Sequence, residues 1–177
     1  MPYLSLLTYL AFNGVWFVCA YGAARGNNSV GVAAAVLFIF TSLWAKDWPS
    51  GEVKLILAAG VAGACIESSL AAIGFVHFSA TPEGSTMAPP WIVALWLAFG
   101  ATVSQTAERL GSHAVCKAGV LGVILGPLAY ATGEKFGALS IIGASWKAYA
   151  ALSIVWLVVF PALVAFNARL SLKQHKS

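Results

Sequence analysis

The chain has 177 residues, of which 60% are hydrophobic and only 9% are charged. A typical soluble protein has about 25% charged residues, so this composition excludes an ordinary soluble domain and indicates an integral membrane protein. The net charge is +4, but the basic residues stand singly at the ends of apolar runs, which argues against a nucleic-acid partner. We therefore expect one integral membrane domain over residues 1–177, with membrane lipids around it.

Six apolar segments have about the length needed to cross a hydrocarbon core of about 30 Å. They are Leu4–Ala24, Ser29–Trp44, Val53–Phe78, Pro90–Thr106, His113–Thr132 and Lys147–Ala168. The N-terminus lacks a basic signal region, so the first segment is expected to stay in the mature protein. Only helices and closed barrels satisfy their backbone in lipid, and the alternation of barrel strands is absent. The sequence predicts an all-α, polytopic bundle of about six transmembrane helices.

The distribution of basic residues predicts the orientation of this bundle. Six spans place both termini on one side of the membrane. That side would carry seven basic residues and the other side three, namely Lys46, Lys54, Arg109, Lys117, Arg169, Lys173 and Lys176 against Arg25, Lys135 and Lys147. The positive-inside rule therefore predicts that both termini are cytoplasmic. Trp91 and Trp146 are expected at the outer interface.

Spans three and five resemble each other in sequence. Three glycines of residues 59–74 align with three of residues 118–133, and one dipeptide recurs in the following spans: Gly60, Gly63 and Gly74 with Gly119, Gly122 and Gly133, and Trp96-Leu97 with Trp156-Leu157. A parallel repeat of two hairpins explains these matches. Chance matching, in a chain this rich in Ala, Gly, Val and Leu, is the alternative.

Small residues form a stripe on each of these two spans. On span three, Gly60 and Gly63 share a helix face with Glu67, and on span five the stripe contains Gly119, Gly122 and Gly126. Small residues at this spacing are typical of close helix–helix contacts in membranes. The stripes therefore predict packing surfaces, and they direct Glu67 into the bundle.

Glu67 is the most unusual residue of the chain. In the apolar run Val53–Phe78 the only other formal charge is Lys54, near the beginning. A charge at the centre of a bilayer costs about 2.5–3.5 kcal/mol on insertion scales. Because no Lys, Arg or His shares its predicted depth near mid-membrane, we predict a neutral, hydrogen-bonded carboxyl rather than an ion pair. Glu67 is a candidate for binding a proton or a substrate, and a purely structural role is the alternative.

Two further residues are candidates for polar contacts inside the membrane. Pro127 has no N–H, so the carbonyl of Val123 loses its helical donor. If spans three and five pack together, a protonated Glu67 is a possible donor to that oxygen. Asn13 lies at a similar depth in span one, where an interhelical hydrogen bond is the favoured interpretation.

The sequence contains little that indicates catalysis. His77 and His113 fall at opposite membrane faces, and no nucleophile, zinc or phosphate-binding motif occurs. The three cysteines contain no C-x-x-C pair and are expected to be small buried residues. We therefore expect no metal and no cofactor, and an intramembrane enzyme is disfavoured.

Several motifs together resemble a known family. They are Pro90-Trp91, Leu95-Trp96, the polar end Thr102 to Leu110, Gly126-Pro127-Leu128-Ala129-Tyr130, Gly133 and Gly137-Ala138. The pattern is similar to a bacterial family of small polytopic inner-membrane proteins that form a domain of unknown function. The resemblance implies that Glu67-Ser68 occupies the place of an acidic residue followed by Ser in the third span. Through the Gly-Pro-Leu-x-Tyr segment, it adds Tyr130 to the candidates.

Two functions are compatible with this sequence. The first is a small transporter or flippase-like permease, in which Glu67 is a protonatable group and the break at Pro127 forms part of the site. Six spans in so short a chain would then favour a homo-oligomer. The second is a non-catalytic accessory or scaffold subunit of a membrane complex. By the resemblance, its membrane-protein partners would be enzymes that modify lipids.

Overall fold

The structure is a computed structural model that describes residues 2–82, 84–143 and 145–174. These residues form six α-helices and one pair of short strands. In chain order the elements are α1 (Pro2–Ala24), α2 (Asn28–Trp44), α3 (Ser50–Ala72), β1 (Val76–Phe78), α4 (Pro90–Leu110), α5 (Ala114–Phe136), β2 (Leu139–Ile141) and α6 (Ser145–Gln174). The predicted helical class is confirmed.

Four helices are long and apolar enough to cross a membrane. These candidate spans are Leu6–Ala24, Ser50–Ala72, Ala114–Phe136 and Trp146–Leu172. Helix α2 is apolar but has only 17 residues, and α4 is not among the four. The chain is thus a helical protein with membrane-spanning character, and the number of six spans stays a prediction.

Helix α4 is the centre of the bundle. It packs against α1, α2, α3, α5 and α6. Most of its residues from Trp91 to Ser104 are buried. Because protein surrounds it, α4 can carry polar side chains at little cost when neighbouring helices supply partners. Ser104, for example, accepts a hydrogen bond from Nζ of Lys46 at 3.0 Å, and Lys46 also pairs with Glu52 at 3.1 Å.

The two glycine stripes lie against neighbouring helices. Helix α3 packs on α4, where Gly60 meets the side chain of Leu97 and Gly63 meets the indole of Trp96. Helix α5 packs on α6 in the same way. There, Gly119 lies against Leu157, and Gly122 and Gly126 lie against Trp156. In each hairpin one tryptophan indole lies on a glycine, Trp96 on Gly63 and Trp156 on Gly126. The two tryptophans are matched in the sequence alignment, but these two glycines are one helical turn apart in it.

The chain between α3 and α4 corrects the predicted span Val53–Phe78. Helix α3 ends at Ala72, and Gly74 turns the chain with a φ of +73°. Residues Val76–Phe78 form β1, which pairs antiparallel with β2 so that Val76 faces Ile141 and Phe78 faces Leu139. The sequence analysis did not predict these two strands, because three-residue strands are too short to show a period-two pattern.

The molecule has two distinct ends. We call the end that carries β1 and β2 the strand end. The opposite end, which carries Lys46, Lys54, Arg109 and Lys117 at or near helix termini, is called the basic end. Of the cations predicted to be cytoplasmic, Lys176 lies outside the described residues. These two ends define the directions used below to describe the candidate site.

Candidate functional site

Glu67 lies inside the bundle with only 1% of its surface exposed. Its Oε1 accepts two hydrogen bonds, from Nε1 of Trp96 at 2.8 Å and from the hydroxyl of Tyr130 at 2.5 Å. Its Oε2 is buried and has no hydrogen-bond partner within the described part of the chain. Since Oε1 is already occupied twice, Oε2 is the oxygen left to carry a proton or to meet a ligand.

The local sequence explains how these three side chains meet. Gly63 has no Cβ, so the Trp96 indole can lie directly on α3; a Cβ there would stand 2.5 Å from Cδ1 of Trp96. Glu67 follows Gly63 by one helical turn on the same face, which brings its carboxyl to the indole N–H. Tyr130 projects from α5 and reaches the same oxygen from the other side. Three separate helices therefore hold the carboxyl in place.

A pair of stacked tryptophans borders this carboxyl. The rings of Trp96 and Trp156 lie 4.9 Å apart with an interplanar angle of 16°. Phe99 contacts both rings edge-on, at 6.0 Å from Trp96 and 5.5 Å from Trp156. Among the described residues, the buried indole nitrogens of Trp91 and Trp156 have no acceptor. A buried N–H without a partner is costly, so these two donors, like Oε2 of Glu67, favour a polar ligand atom nearby.

A groove of about 580 Å³ runs beside these side chains. Helices α1, α4 and α5 form most of its wall, and its lining is largely aromatic and aliphatic. Exposed side chains of α1 and α5, such as Phe17 and Leu125, belong to the lining, so the groove opens at the surface between these helices. Among the described residues that line it, Glu67 is the one acidic residue and Arg109 the one basic residue.

The groove is elongated along α4. Trp96, beside Glu67, and Arg109 both line it and are 13 residues apart on the same helix. At 1.5 Å per residue this separation is about 20 Å. The groove therefore joins a buried carboxyl near the strand end to a cation at the basic end.

A comparison with known protein families identifies the chain's relatives. The family profile described as "Protein of unknown function (DUF2878)" matches residues 5–162. This chain belongs to the DUF2878 family. No curated protein and no solved structure matches it. The predicted resemblance to a domain of unknown function is thereby confirmed, while the bacterial and inner-membrane parts of that prediction remain untested.

The structure of this DUF2878 chain brings some of the predicted site residues together and places others elsewhere. Glu67 and Tyr130 are brought together, and both line the groove. Asn13 lines it as well, but Asn13 is exposed, and its Nδ2 donates to the carbonyl of Tyr9 in the same helix at 2.8 Å instead of bonding another helix. Oγ of Ser68 accepts from the backbone N–H of Ala88 at 3.0 Å and so holds the loop before α4. Pro127 is not part of the groove lining.

One hypothesis about Glu67 is corrected. The carbonyl of Val123, freed by Pro127, accepts from Oγ of Ser153 at 3.3 Å, so the hypothesis that Glu67 serves it was wrong. Glu67 also lies six residues beyond Val61, the middle of α3, which is about 9 Å toward the strand end. Its depth near mid-membrane stays a prediction.

The tryptophans are the site residues that the sequence analysis missed. Trp91 was expected at the membrane interface, but only 2% of its surface is exposed, and it lines the groove. Trp96 and Trp156 were noted in the possible repeat, and Trp96 also in the family resemblance, but neither was a site candidate. A signal was present in the sequence, because each of these two tryptophans lies in the helix that follows a glycine stripe. Two of the three cysteines, Cys65 and Cys116, are exposed rather than buried as expected.

Proposed function

We propose that this protein is a small lipid transporter of the flippase or permease type, located in the bacterial inner membrane. The observation that carries this proposal is the position of Glu67. Its buried carboxyl, with one unpartnered oxygen, borders a 580 Å³ apolar groove that opens between two helices. A carboxyl kept at such cost in a membrane helix is a candidate for function.

The lining of the groove favours an apolar substrate with few polar atoms. Ligand sites are typically concave, mostly apolar, and contain a small number of placed polar groups. Here those groups are Oε2 of Glu67 and the indole N–H groups of Trp91 and Trp156. A lateral opening between α1 and α5 would admit a lipid chain directly from the bilayer.

In this proposal Glu67 changes its partner during the transport cycle. Trp96 and Tyr130 hold Oε1, so a proton on Oε2 makes the carboxyl a donor to the substrate, and loss of that proton makes it an acceptor. Transporters commonly place such a group inside the membrane beside irregular helices. The groove lies within a single copy of the chain, so a pathway does not require the homo-oligomer that chain length suggested.

The orientation and the repeat belong to the same proposal. With α2 and α4 counted as spans, six helices place both termini in the cytoplasm, together with the basic end. The repeat of two hairpins is supported by the aligned glycines Gly63 and Gly122, which lie against Trp96 and Trp156, although Gly63 meets the indole and Gly122 the backbone carbonyl. The antiparallel pairing of β1 with β2 is also what two units related by a two-fold axis would produce.

The scaffold alternative has less support. Its main argument was the two stripes of small residues, which suit contacts with a partner. Those glycines already lie against α4 and α6 of the same chain, so they do not offer a free surface. Bulky residues at Gly122 or Gly126 would therefore damage the fold and cannot distinguish a scaffold from a transporter.

A lipid-scrambling assay in proteoliposomes tests the proposal. The full chain is reconstituted with a headgroup-labelled phospholipid, and the label exposed on the outer leaflet is reduced chemically. We expect the protein to accelerate exchange between leaflets and Glu67→Gln to remove most of that rate. Ala129→Phe, which extends a side chain into the groove, should also slow exchange, whereas Ile124→Phe on the exposed side of α5 should not.

The controls decide how each result is interpreted. Every variant is first checked for a monodisperse, helical protein in detergent. If folded Glu67→Gln scrambles lipid as fast as the unmodified chain, Glu67 has no role in transport. If no variant and no unmodified protein accelerates exchange under any lipid composition, the transporter proposal is wrong.

A further inference from the structure

We infer that the basic end of the groove is a binding site for the anionic headgroup of a lipid, with Arg109 as its main contact. The lipid chain would lie along α4 and point toward Glu67. This inference rests on the proposed function, because it names the substrate class of the same groove. The members of that substrate class share one phosphate or carboxylate group joined to a long hydrocarbon chain.

The charges along the groove favour this orientation. Arg109 is the one cation among the described lining residues, and Glu67, at the other end, is the one acid. An anionic group at the strand end would meet the Glu67 carboxyl, whereas at the basic end it meets a guanidinium. Arginine binds phosphate and carboxylate through a planar fork of donors, which makes it suited to this headgroup.

Polar groups around Arg109 complete a headgroup environment. The Arg109 guanidinium lies 5.5 Å from the ring centre of Tyr9. The Tyr9 hydroxyl and Oγ1 of Thr106 are hydrogen-bonded at 3.0 Å, and all three residues line the groove. On the facing helix, Nζ of Lys117 donates to the carbonyl of Leu110 at 2.7 Å, which places a second cation beside the lining.

The length of the groove fits one lipid chain. About 20 Å separates Arg109 from the Trp96 level, which is somewhat more than one leaflet of a hydrocarbon core of about 30 Å. Between them the groove is bordered by apolar side chains such as Phe12, Leu95 and Phe99, which offer hydrophobic contact along the path. A lipid held at Arg109 therefore has the orientation of one in the leaflet at the basic end.

Tryptophan quenching by chain-brominated lipids tests this inference. Trp16, Trp91, Trp96 and Trp156 line the groove, whereas Trp44, Trp48 and Trp146 are exposed and can be replaced by Phe to give a reporter background. The reporter is reconstituted in vesicles of brominated phosphatidylglycerol diluted into phosphatidylcholine, and in the reverse mixture. The two quenching curves yield the preference for the anionic lipid over the zwitterionic one.

We expect the reporter to prefer phosphatidylglycerol and Arg109→Gln to reduce that preference about fivefold. Arg109→Lys should retain most of it, because the charge remains. Lys54→Gln is the matched control: Lys54 is an exposed cation of the basic end that does not line the groove, so its loss should leave the preference within about twofold. Brominated fatty acid, in place of the phospholipid, shows whether a free carboxylate or a phosphate headgroup is preferred.

The outcomes separate this inference from the proposed function. Equal quenching by both lipids, or an anionic preference that Arg109→Gln leaves unchanged, overturns the headgroup site while lipid binding in the groove stands. An equal loss in Lys54→Gln also overturns it, since general surface charge then explains the preference. Absence of quenching by every lipid means that no chain enters the groove, and the proposed function then fails as well.

Discussion

The hairpins α3–α4 and α5–α6 are packed in a similar way, through contacts between glycine and tryptophan. In the first, Gly63 lies against the indole of Trp96; in the second, Gly126 lies against the indole of Trp156 and Gly122 against its backbone carbonyl. The two indoles then stack on each other at 4.9 Å. Each hairpin also has a short strand in the connection between its two helices, and the two strands pair. The centre of the bundle is thus built from two matching halves.

The halves differ at one chemically important position. The alignment places Glu67 of α3 opposite Gly126 of α5. As a result the N–H of Trp96 has a carboxylate oxygen as its acceptor, whereas the N–H of Trp156 is buried without one within the described structure. Packing explains the features that the two hairpins share. It does not explain Glu67, which stands where the two aligned sequences differ and which lines the groove.

The largest effect is expected from Gly122→Ala, which attacks the packing of the second hairpin. The added Cβ would lie 3.0 Å from the carbonyl carbon of Trp156, and the backbone there cannot rotate away. We expect a loss of about 3 kcal/mol in the free energy of unfolding, measured by denaturant titration in mixed micelles. Gly119→Ala is the matched control: its Cβ meets its nearest neighbour, Cδ1 of Leu157, at 3.3 Å, so the loss should stay below about 1 kcal/mol. Equal losses would contradict the packing described here.

The second prediction concerns the Glu67 carboxyl, which only the first hairpin has. Glu67→Leu keeps an apolar side chain of similar size but leaves the donors of Trp96 and Tyr130 without an acceptor. Each unsatisfied buried donor costs about 1–3 kcal/mol, so the free energy of unfolding should fall by about 2 kcal/mol or more. A stability equal to that of the unmodified chain would mean that these two hydrogen bonds contribute little.

The third prediction compares the two tryptophans directly. Trp96→Phe and Trp156→Phe remove similar areas from the same stack, but among the described residues only the N–H of Trp96 has an acceptor, the Glu67 carboxyl. A typical buried hydrogen bond contributes about 0.5–1.5 kcal/mol, and Trp156→Phe removes none. Trp96→Phe should therefore cost about 1 kcal/mol more than Trp156→Phe in the same titration. Equal costs, or a larger cost at Trp156, would show that the two halves do not differ as described.

The sequence predicted the helices better than it predicted the site. Long apolar runs and the spacing of glycines are local patterns, so the helical class and the faces of α3 and α5 were accessible. The span Val53–Phe78 was too long because apolar character continues into β1, where Gly74 has already turned the chain. Hydrophobicity alone does not distinguish a buried strand of three residues from the end of a helix.

The hydrogen-bond partners of Glu67 could not be predicted from local sequence patterns, and the reason is a different one. Trp96 lies 29 residues from Glu67 in sequence, and Tyr130 lies 63 residues away. Which helix supplies a partner depends on the order of packing in the bundle. The sequence analysis considered only the case in which α3 packs on α5, whereas α3 packs mainly on α4. Once α4 is known to be central, a carboxyl that faces the bundle must meet its tryptophan.

The smallest change in stability is expected for Glu67→Gln. The amide oxygen of Gln can accept from both Trp96 and Tyr130 in nearly the same geometry, so the free energy of unfolding should change by less than about 1 kcal/mol. The amide cannot release a proton, however, and its NH2 group would occupy the place of Oε2 beside the groove. A variant that is as stable as the unmodified chain and still fails to move lipid would locate the function in that one oxygen. A variant as unstable as Glu67→Leu would instead show that the charge of the carboxyl, and not its shape, holds the two halves of the bundle together.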